Sequence, residues 1–395
     1  MWLKLIKFKT RQMEMKNNHG PIIIPIASGK GGVGKTVISI NLSFALAQLG
    51  KKVVLIDMDF GGANIHTCLG YETAPDGIGN FLNDSNGNLS DYLLTTSEKN
   101  LRFIPGDAEM VGIANASGLQ KRKLIKHLSM LDADYIILDL GAGSAYNTID
   151  FFMISSFGII VATPEITSIL NAYAFLKNTI FRLLNVGLKK YQSVESIFNK
   201  HQVRGGESAW KVSEILDKIS TIDPAIHAEA VSFLDSFNPK IIINMALKPK
   251  DLAMGEKLRK ISSNYLGVDM EYLGFLYRDK IVESSVSKRK PLALLDSKCQ
   301  TFQTVMRMAY KIINAKNIPY YLLDIDNYDD SLEILLEEAT DDFITRIEGY
   351  EELADENLIT INELLSIVKN LEYENLSLKN KIEELEKDLL RYKNR

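Results

Sequence analysis

From residue 22 onward, short apolar runs alternate with longer stretches whose apolar positions recur every three to four residues. The runs 22–27, 53–57, 101–104, 135–139, 158–162, 241–244 and 272–276 are too short for helices and read as buried strands. Between them, 36–49, 121–130, 169–184 and 252–265 carry the helical period. Strands that are apolar along their whole length are buried on both faces. The order therefore predicts βαβ units and an α/β fold, a mostly parallel twisted sheet with helices on both faces.

Several regions break that rhythm. Residues 189–235 are polar and helix-leaning, and they separate a helix from the next strand by far more than a loop of a few residues, so they predict a helical insert. Residues 1–20 interleave Trp2, Leu3, Leu5, Ile6 and Phe8 with Lys4, Lys7, Lys9, Arg11 and Lys16. As a helix, this basic amphipathic tail would lie on an anionic membrane, through residues 1–16, or dock on a partner; the alternative is a solvated tail. Residues 321–357 are rich in Asp and Glu, with Arg346 against them, and predict an acidic helical linker after a large domain at 21–320.

The last segment, 358–395, has a seven-residue period. Leu364, Leu371, Leu378 and Leu385 fall at d, and Ile361, Val368, Asn375, Ile382 and Leu389 at a. Leu at d, mostly β-branched residues at a and one polar Asn favour a parallel two-stranded coiled coil in fixed register. In that register the g-to-e′ pairs Glu374 with Lys379, Lys381 with Glu386 and Asp388 with Lys393 are all opposite in charge. The alternatives are a single helix packed on its own domain and a helix that pairs with a different protein.

Composition narrows the function. The 395 residues hold 46 Lys and Arg against 50 Asp and Glu, and 46% are hydrophobic, which is ordinary for a globular chain. So balanced a charge gives no global attraction to nucleic acid, and nucleic-acid binding is not expected. Cys68 and Cys299 are far apart and form no C-x-x-C pair, which removes a disulfide framework and thiolate metal clusters. No apolar run is long enough to span a bilayer, so a cytoplasmic chain is expected.

The chemistry lies just after the first strand. Gly29-Lys30-Gly31-Gly32-Val33-Gly34-Lys35-Thr36 fits G-x-x-x-x-G-K-[ST] and leads into a helix, the signature of a P-loop NTPase. Its glycines let backbone N–H groups converge on phosphate oxygens at a helix N-terminus. Lys35 would neutralise β/γ-phosphate charge, and the Thr36 hydroxyl would ligate Mg²⁺. Lys30 is a second lysine that an ordinary P-loop does not need; it either faces solvent or reaches a phosphate in its own or a facing subunit. Two other strand ends carry acids, Asp57-Met58-Asp59 and Asp139-Leu140-Gly141-Ala142-Gly143. A carboxylate at such a position suits a Mg²⁺ water ligand, and the glycines beyond it suit a loop that moves when the γ-phosphate is lost.

The segment 30–36 resembles the deviant Walker A motif of the MinD/ParA ATPases, whose extra lysine contacts nucleotide across an ATP-sandwich dimer. The resemblance implies ATP and Mg²⁺ as ligands and a homodimer. It makes Lys30 the signature lysine, Asp59 the residue that positions attacking water, Asp57 its neighbour near Mg²⁺ and Asp139 the Walker B acid. Asp57-x-Asp59-x-Gly61-x-Ala63-Asn64, Thr163-Pro164-Glu165 and Ala172-Tyr173-Ala174 are most similar to the flagellar-number branch called FlhG, FleN or YlxH. Asn244 then resembles an adenine-contacting position. The branch implies an FlhF-like GTPase or a flagellar basal-body protein as partner, yet the chain contains no Asp-Gln-Ala-x-x-Leu-Arg element. The acidic linker and coiled coil stand where the branch carries a C-terminal amphipathic membrane helix.

Together these readings describe a slow, partner-stimulated ATPase acting as a spatial switch on flagellar number or placement, in the cytoplasm or peripherally at the inner membrane face or cell pole. A ParA-like partition or division-site ATPase is the alternative in the same fold. Partition needs a basic DNA-binding face, against which the acidic C-terminal region argues. An ATP-binding coiled-coil scaffold without turnover is the alternative of another class, and the presence of both Asp59 and Asp139 argues against it.

Overall fold

The computed structural model describes residues 20–59, 62–72, 76–106, 118–203, 212–315 and 369. The expectations for the basic tail, the acidic linker and the coiled coil lie outside these residues, Gly20 and Lys369 apart.

The sheet has 8 strands in the order β3-β4-β2-β5-β1-β6-β7-β8. They are β1 (Ile22–Ser28), β2 (Val53–Met58), β3 (Leu94–Thr95), β4 (Leu101–Ile104), β5 (Tyr135–Ala142), β6 (Ile159–Ala162), β7 (Lys240–Ala246) and β8 (Glu271–Tyr277). All neighbours pair in parallel except β3 and β4. Each of the runs read as strands forms one. The edge strand β3 was not expected, because two residues paired antiparallel, Leu94 with Phe103 and Thr95 with Arg102, leave no periodic run to read.

Thirteen α-helical segments occur among the described residues, in chain order α1 (Lys35–Gln48), α2 (Ile65–Cys68), α3 (Ile78–Asn83), α4 (Gly118–Leu128), α5 (Tyr146–Phe152), α6 (Ile166–Gly187), α7 (Gln192–Val203), α8 (Val212–Ile222), α9 (Pro224–Asp235), α10 (Leu252–Leu266), α11 (Lys280–Ser287), α12 (Leu292–Leu295) and α13 (Gln300–Asn314). On one face of the sheet, Ile24, Ile26, Ile137 and Ile242 join Leu42, Phe44 and Leu46 of α1 and Phe302, Val305 and Met308 of α13 in a single core. A side chain at Gly274 would place its Cβ 1.9 Å from Met308 Cε, so glycine in β8 is what lets α13 lie this close. On the other face α5, α6 and α10 cover the strands, with Phe152 and Phe175 edge to face at 5.0 Å. Helix α1 is sealed between layers, and its buried Asn41 and Ser43 donate to the carbonyls of Val37 and Ser39 one turn back.

The stretch from α6 to β7 holds three helices, α7 to α9, where the sequence led us to expect a helical insert. Ile215, Ile219, Ile226, Ala230 and Leu234 form its buried seam. Asp223 accepts the Ala225 N–H at 2.7 Å and Pro224 opens α9, a start that the sequence encodes locally. Among the described residues no helix is long and apolar enough to cross a membrane.

Candidate functional site: a phosphate loop at the carboxyl ends of the strands

β1 ends at Ser28, and the chain turns through 29–34 into α1, at the strand ends where open α/β sheets bind ligands. Gly32 and Gly34 have φ of +78° and +88°, which only glycine adopts freely. A Cβ on Gly29 would stand 2.2 Å from the backbone of Asn171, so the loop rests directly on α6. A Cβ on Gly34 would meet Asn244 Nδ2 at 2.3 Å, and that nitrogen donates to the Val33 carbonyl at 2.8 Å. The loop is thus held between α6 and the end of β7. Gly31 and Gly32, in contrast, are exposed with open space around them, so the crest is free to receive a phosphate.

Beneath the loop lies a buried ionic cluster. Lys35 Nζ is 2.9 Å from Asp139 Oδ1, with 7% and 1% of the two side chains exposed. Ser39 Oγ donates to the same oxygen at 2.8 Å. The other oxygen, Asp139 Oδ2, is buried with no hydrogen-bond partner among the described residues. A buried carboxylate oxygen left so is costly, and here it lies beneath the open phosphate loop. Thr36, half-buried, follows Lys35 directly. These residues fit Mg·ATP: a phosphate cradle, a lysine under it, and a hydroxyl and an open carboxylate oxygen for the metal and its waters.

Asp57 stands next to this cluster. It lies in register beside Asp139 and is 1% exposed. Its Oδ1 accepts the Asp59 N–H and its Oδ2 the N–H groups of Asn64 and Ile65, all at 3.1 Å. The Asp57 carboxylate, expected among the metal ligands, accepts amides of the loop after β2, whereas Asp139 Oδ2 receives no hydrogen bond among the described residues. Burial, and then the neighbouring Asp139, push the Asp57 carboxyl up to about 7 against the pull of those amides and of Lys35.

Asp59, half-buried, lies against the loop after β5, its Oδ1 3.3 Å from where a Cβ on Gly141 would stand. Gly143 adopts φ +84° and donates to the Ser28 carbonyl at 2.9 Å, so the loops after β1, β2 and β5 converge. Lys30 is exposed on the crest and pairs with Glu165 at 3.3 Å, at the start of α6. Asn244, which resembles an adenine-contacting position, has its amide nitrogen on the phosphate loop, and Met245 beside it takes a left-handed φ of +60°. Sequence reasoning missed Ser39, Asn171 and the pairing of Glu165 with Lys30. Thr163-Pro164-Glu165 stood out as a motif, but nothing local signals a contact across 135 residues.

Residues 22–187 match the AAA_31 family, an AAA domain. Among curated relatives, antiactivator FleN of Pseudomonas aeruginosa is 26% identical over 285 residues, 70% of this chain and 81% of FleN. The flagellum site-determining protein YlxH of Helicobacter pylori is 34% identical over 176 residues, 44% of this chain and 58% of YlxH. The septum site-determining protein MinD of Thermotoga maritima is 34% identical over 194 residues, 47% of this chain and 67% of that protein. Among solved structures, MinD of Pyrococcus horikoshii complexed with Mg-ADP superposes with a TM-score of 0.51 at 19% identity, covering 77% of this chain and 100% of that one.

Proposed function

The chain belongs to the MinD/ParA family of P-loop ATPases, and on that premise we propose that it is a slow, partner-stimulated ATPase working as a spatial switch on flagellar number or placement. The observation that carries the switch is the contrast between its two loop lysines. Lys35 is buried on Asp139, whereas Lys30 stands exposed on the crest, where nucleotide held by a second copy of the chain would meet it. The flagellar assignment is supported by the likeness to FleN over most of its length and to the flagellum site-determining YlxH.

In this mechanism the amides of 31–36 and Lys35 receive the β- and γ-phosphates. Thr36 and Asp139, with Asp57 beside them, would hold Mg²⁺, which would supply charge neutralisation on those phosphates. Asp59 orients the attacking water, and Lys30 reaches across to the facing nucleotide. Loss of the γ-phosphate releases the loops after β2 and β5. The heptads of 358–395 tether two copies as a parallel coiled coil, holding the heads at roughly millimolar effective concentration. Nucleotide then opens and closes the heads of a standing dimer. Residues 1–16 contact the membrane, an FlhF-like GTPase or a flagellar basal-body protein is a binding partner, and turnover rises on partner binding.

The test is a count of flagella per cell, with their positions, in a host strain carrying Lys35→Ala, scored beside septum placement and chromosome content. Altered flagellar number with normal division is the expected result. Normal flagella with misplaced septa or anucleate cells would move the assignment to division or partition.

A further inference from the structure

Asp139 receives its donors unevenly. Lys35 and Ser39 both donate to Oδ1, at 2.9 and 2.8 Å, and Oδ2 receives none among the described residues. Ser39 lies one helical turn beyond Lys35, so the two side chains project from the same face of α1 onto the end of β5. The Ser39 hydroxyl is also 3.0 Å from the Lys35 carbonyl, but it has one proton, and the charged oxygen is the stronger acceptor.

Lys35 cannot serve Asp139 and the nucleotide equally. When phosphates arrive on the loop its ammonium turns to them, and Asp139 loses its cation while Asp57 remains beside it in register. A carboxylate turns about a broad terminal torsion, so something other than Lys35 has to fix its plane. Ser39 is the group that stays, fully buried and fixed on the helix.

We propose that Ser39 is a positioning residue that holds Asp139 through Oδ1 so that Oδ2 stays aimed at the magnesium position after Lys35 has moved to the nucleotide. The inference rests on the reading of this site as an ATP site. It assigns Ser39 no contact with nucleotide or metal; it acts through Asp139, as partners of ligating carboxylates do elsewhere.

The experiment titrates a fluorescent ATP analogue onto the full-length chain, first in EDTA and then at rising Mg²⁺, for wild type, Ser39→Ala, Ser39→Thr and Ser39→Cys. Ser39→Ala raises the Mg²⁺ concentration needed for half of the magnesium-dependent gain in affinity by about tenfold, while binding in EDTA is unchanged. Ser39→Thr, which keeps the hydroxyl, stays within about twofold of wild type, and the weaker donor of Ser39→Cys falls between and provides the same reading if Ser39→Ala does not fold. An unchanged Mg²⁺ midpoint in Ser39→Ala or Ser39→Cys, or an equal loss in EDTA, overturns the inference and leaves the ATP site standing. No binding of the analogue by wild type overturns both.

Discussion

Two buried carboxylates on successive elements, Asp139 at the end of β5 and Asp150 on α5, are completed in opposite ways. Asp150, 4% exposed, faces two cations: Lys121 at 2.6 Å and the Arg182 guanidinium at 2.8 Å. Both of its oxygens are used, and the three side chains tie α4, α5 and α6 together. Asp139 shares one buried ammonium with Asp57, and one of its oxygens is left over. Buried polar groups are normally satisfied, so the first arrangement is what folding alone selects. The second is short of a cation in the place where a phosphate loop opens. The difference separates a carboxylate that holds the fold from one kept for a ligand.

The sharpest way to break the comparison is to remove the cation on the ligand side. Lys35→Ala lowers phosphate release from ATP by about 10²- to 10³-fold, with a far-ultraviolet spectrum like that of wild type. Removing the acid on the other side acts on the fold instead. Asp150→Ala leaves Lys121 and Arg182 facing each other without a countercharge and costs about 3 kcal/mol in urea unfolding, while the ATP affinity of the folded fraction is kept.

pH sharpens the contrast further, through Asp57. Its carboxyl rises from an ordinary 3.8 to about 7 in the folded chain, so the native state holds a proton that the unfolded chain has released. The contribution is therefore destabilising: stability without nucleotide falls as pH climbs from about 4 to about 7, and levels off above. Asp57→Asn flattens that slope in melts across the range. The smallest effect is at the rim, where Lys30 and Glu165 are 45% and 65% exposed. Glu165→Gln changes stability by less than about 1 kcal/mol, read by the same urea series.

Much of this was legible in the sequence, and the failures have physical causes. The apolar runs that became β1, β2 and β6 are nearly continuous because both faces of the sheet are covered there, which makes them easy to read. The phosphate loop is a contiguous motif, so Lys35 and Thr36 stand out as candidates without the fold. Asp57 and Asp139 look alike in sequence, since each follows an apolar run. Only the folded chain shows one bonded back onto the amides of its own loop and the other left open. Ser39 reads as one more polar residue in a helix, and Asn244 as the end of a strand. Their partners, Asp139 and Val33, are 100 and 211 residues distant.

The division between the two carboxylates is that Asp139 is kept for Mg·ATP while Asp150 holds the fold. Its most direct test is the melting temperature of the full-length chain with and without Mg·ATP, in wild type, Asp139→Asn and Asp150→Ala. Wild type is stabilised by about 2.7 kcal/mol at a ligand concentration near 100 times the dissociation constant. Asp150→Ala starts lower and rises by a similar amount, and Asp139→Asn does not respond. A wild-type melt unmoved by Mg·ATP, or an Asp139→Asn melt that shifts as wild type does, would contradict it.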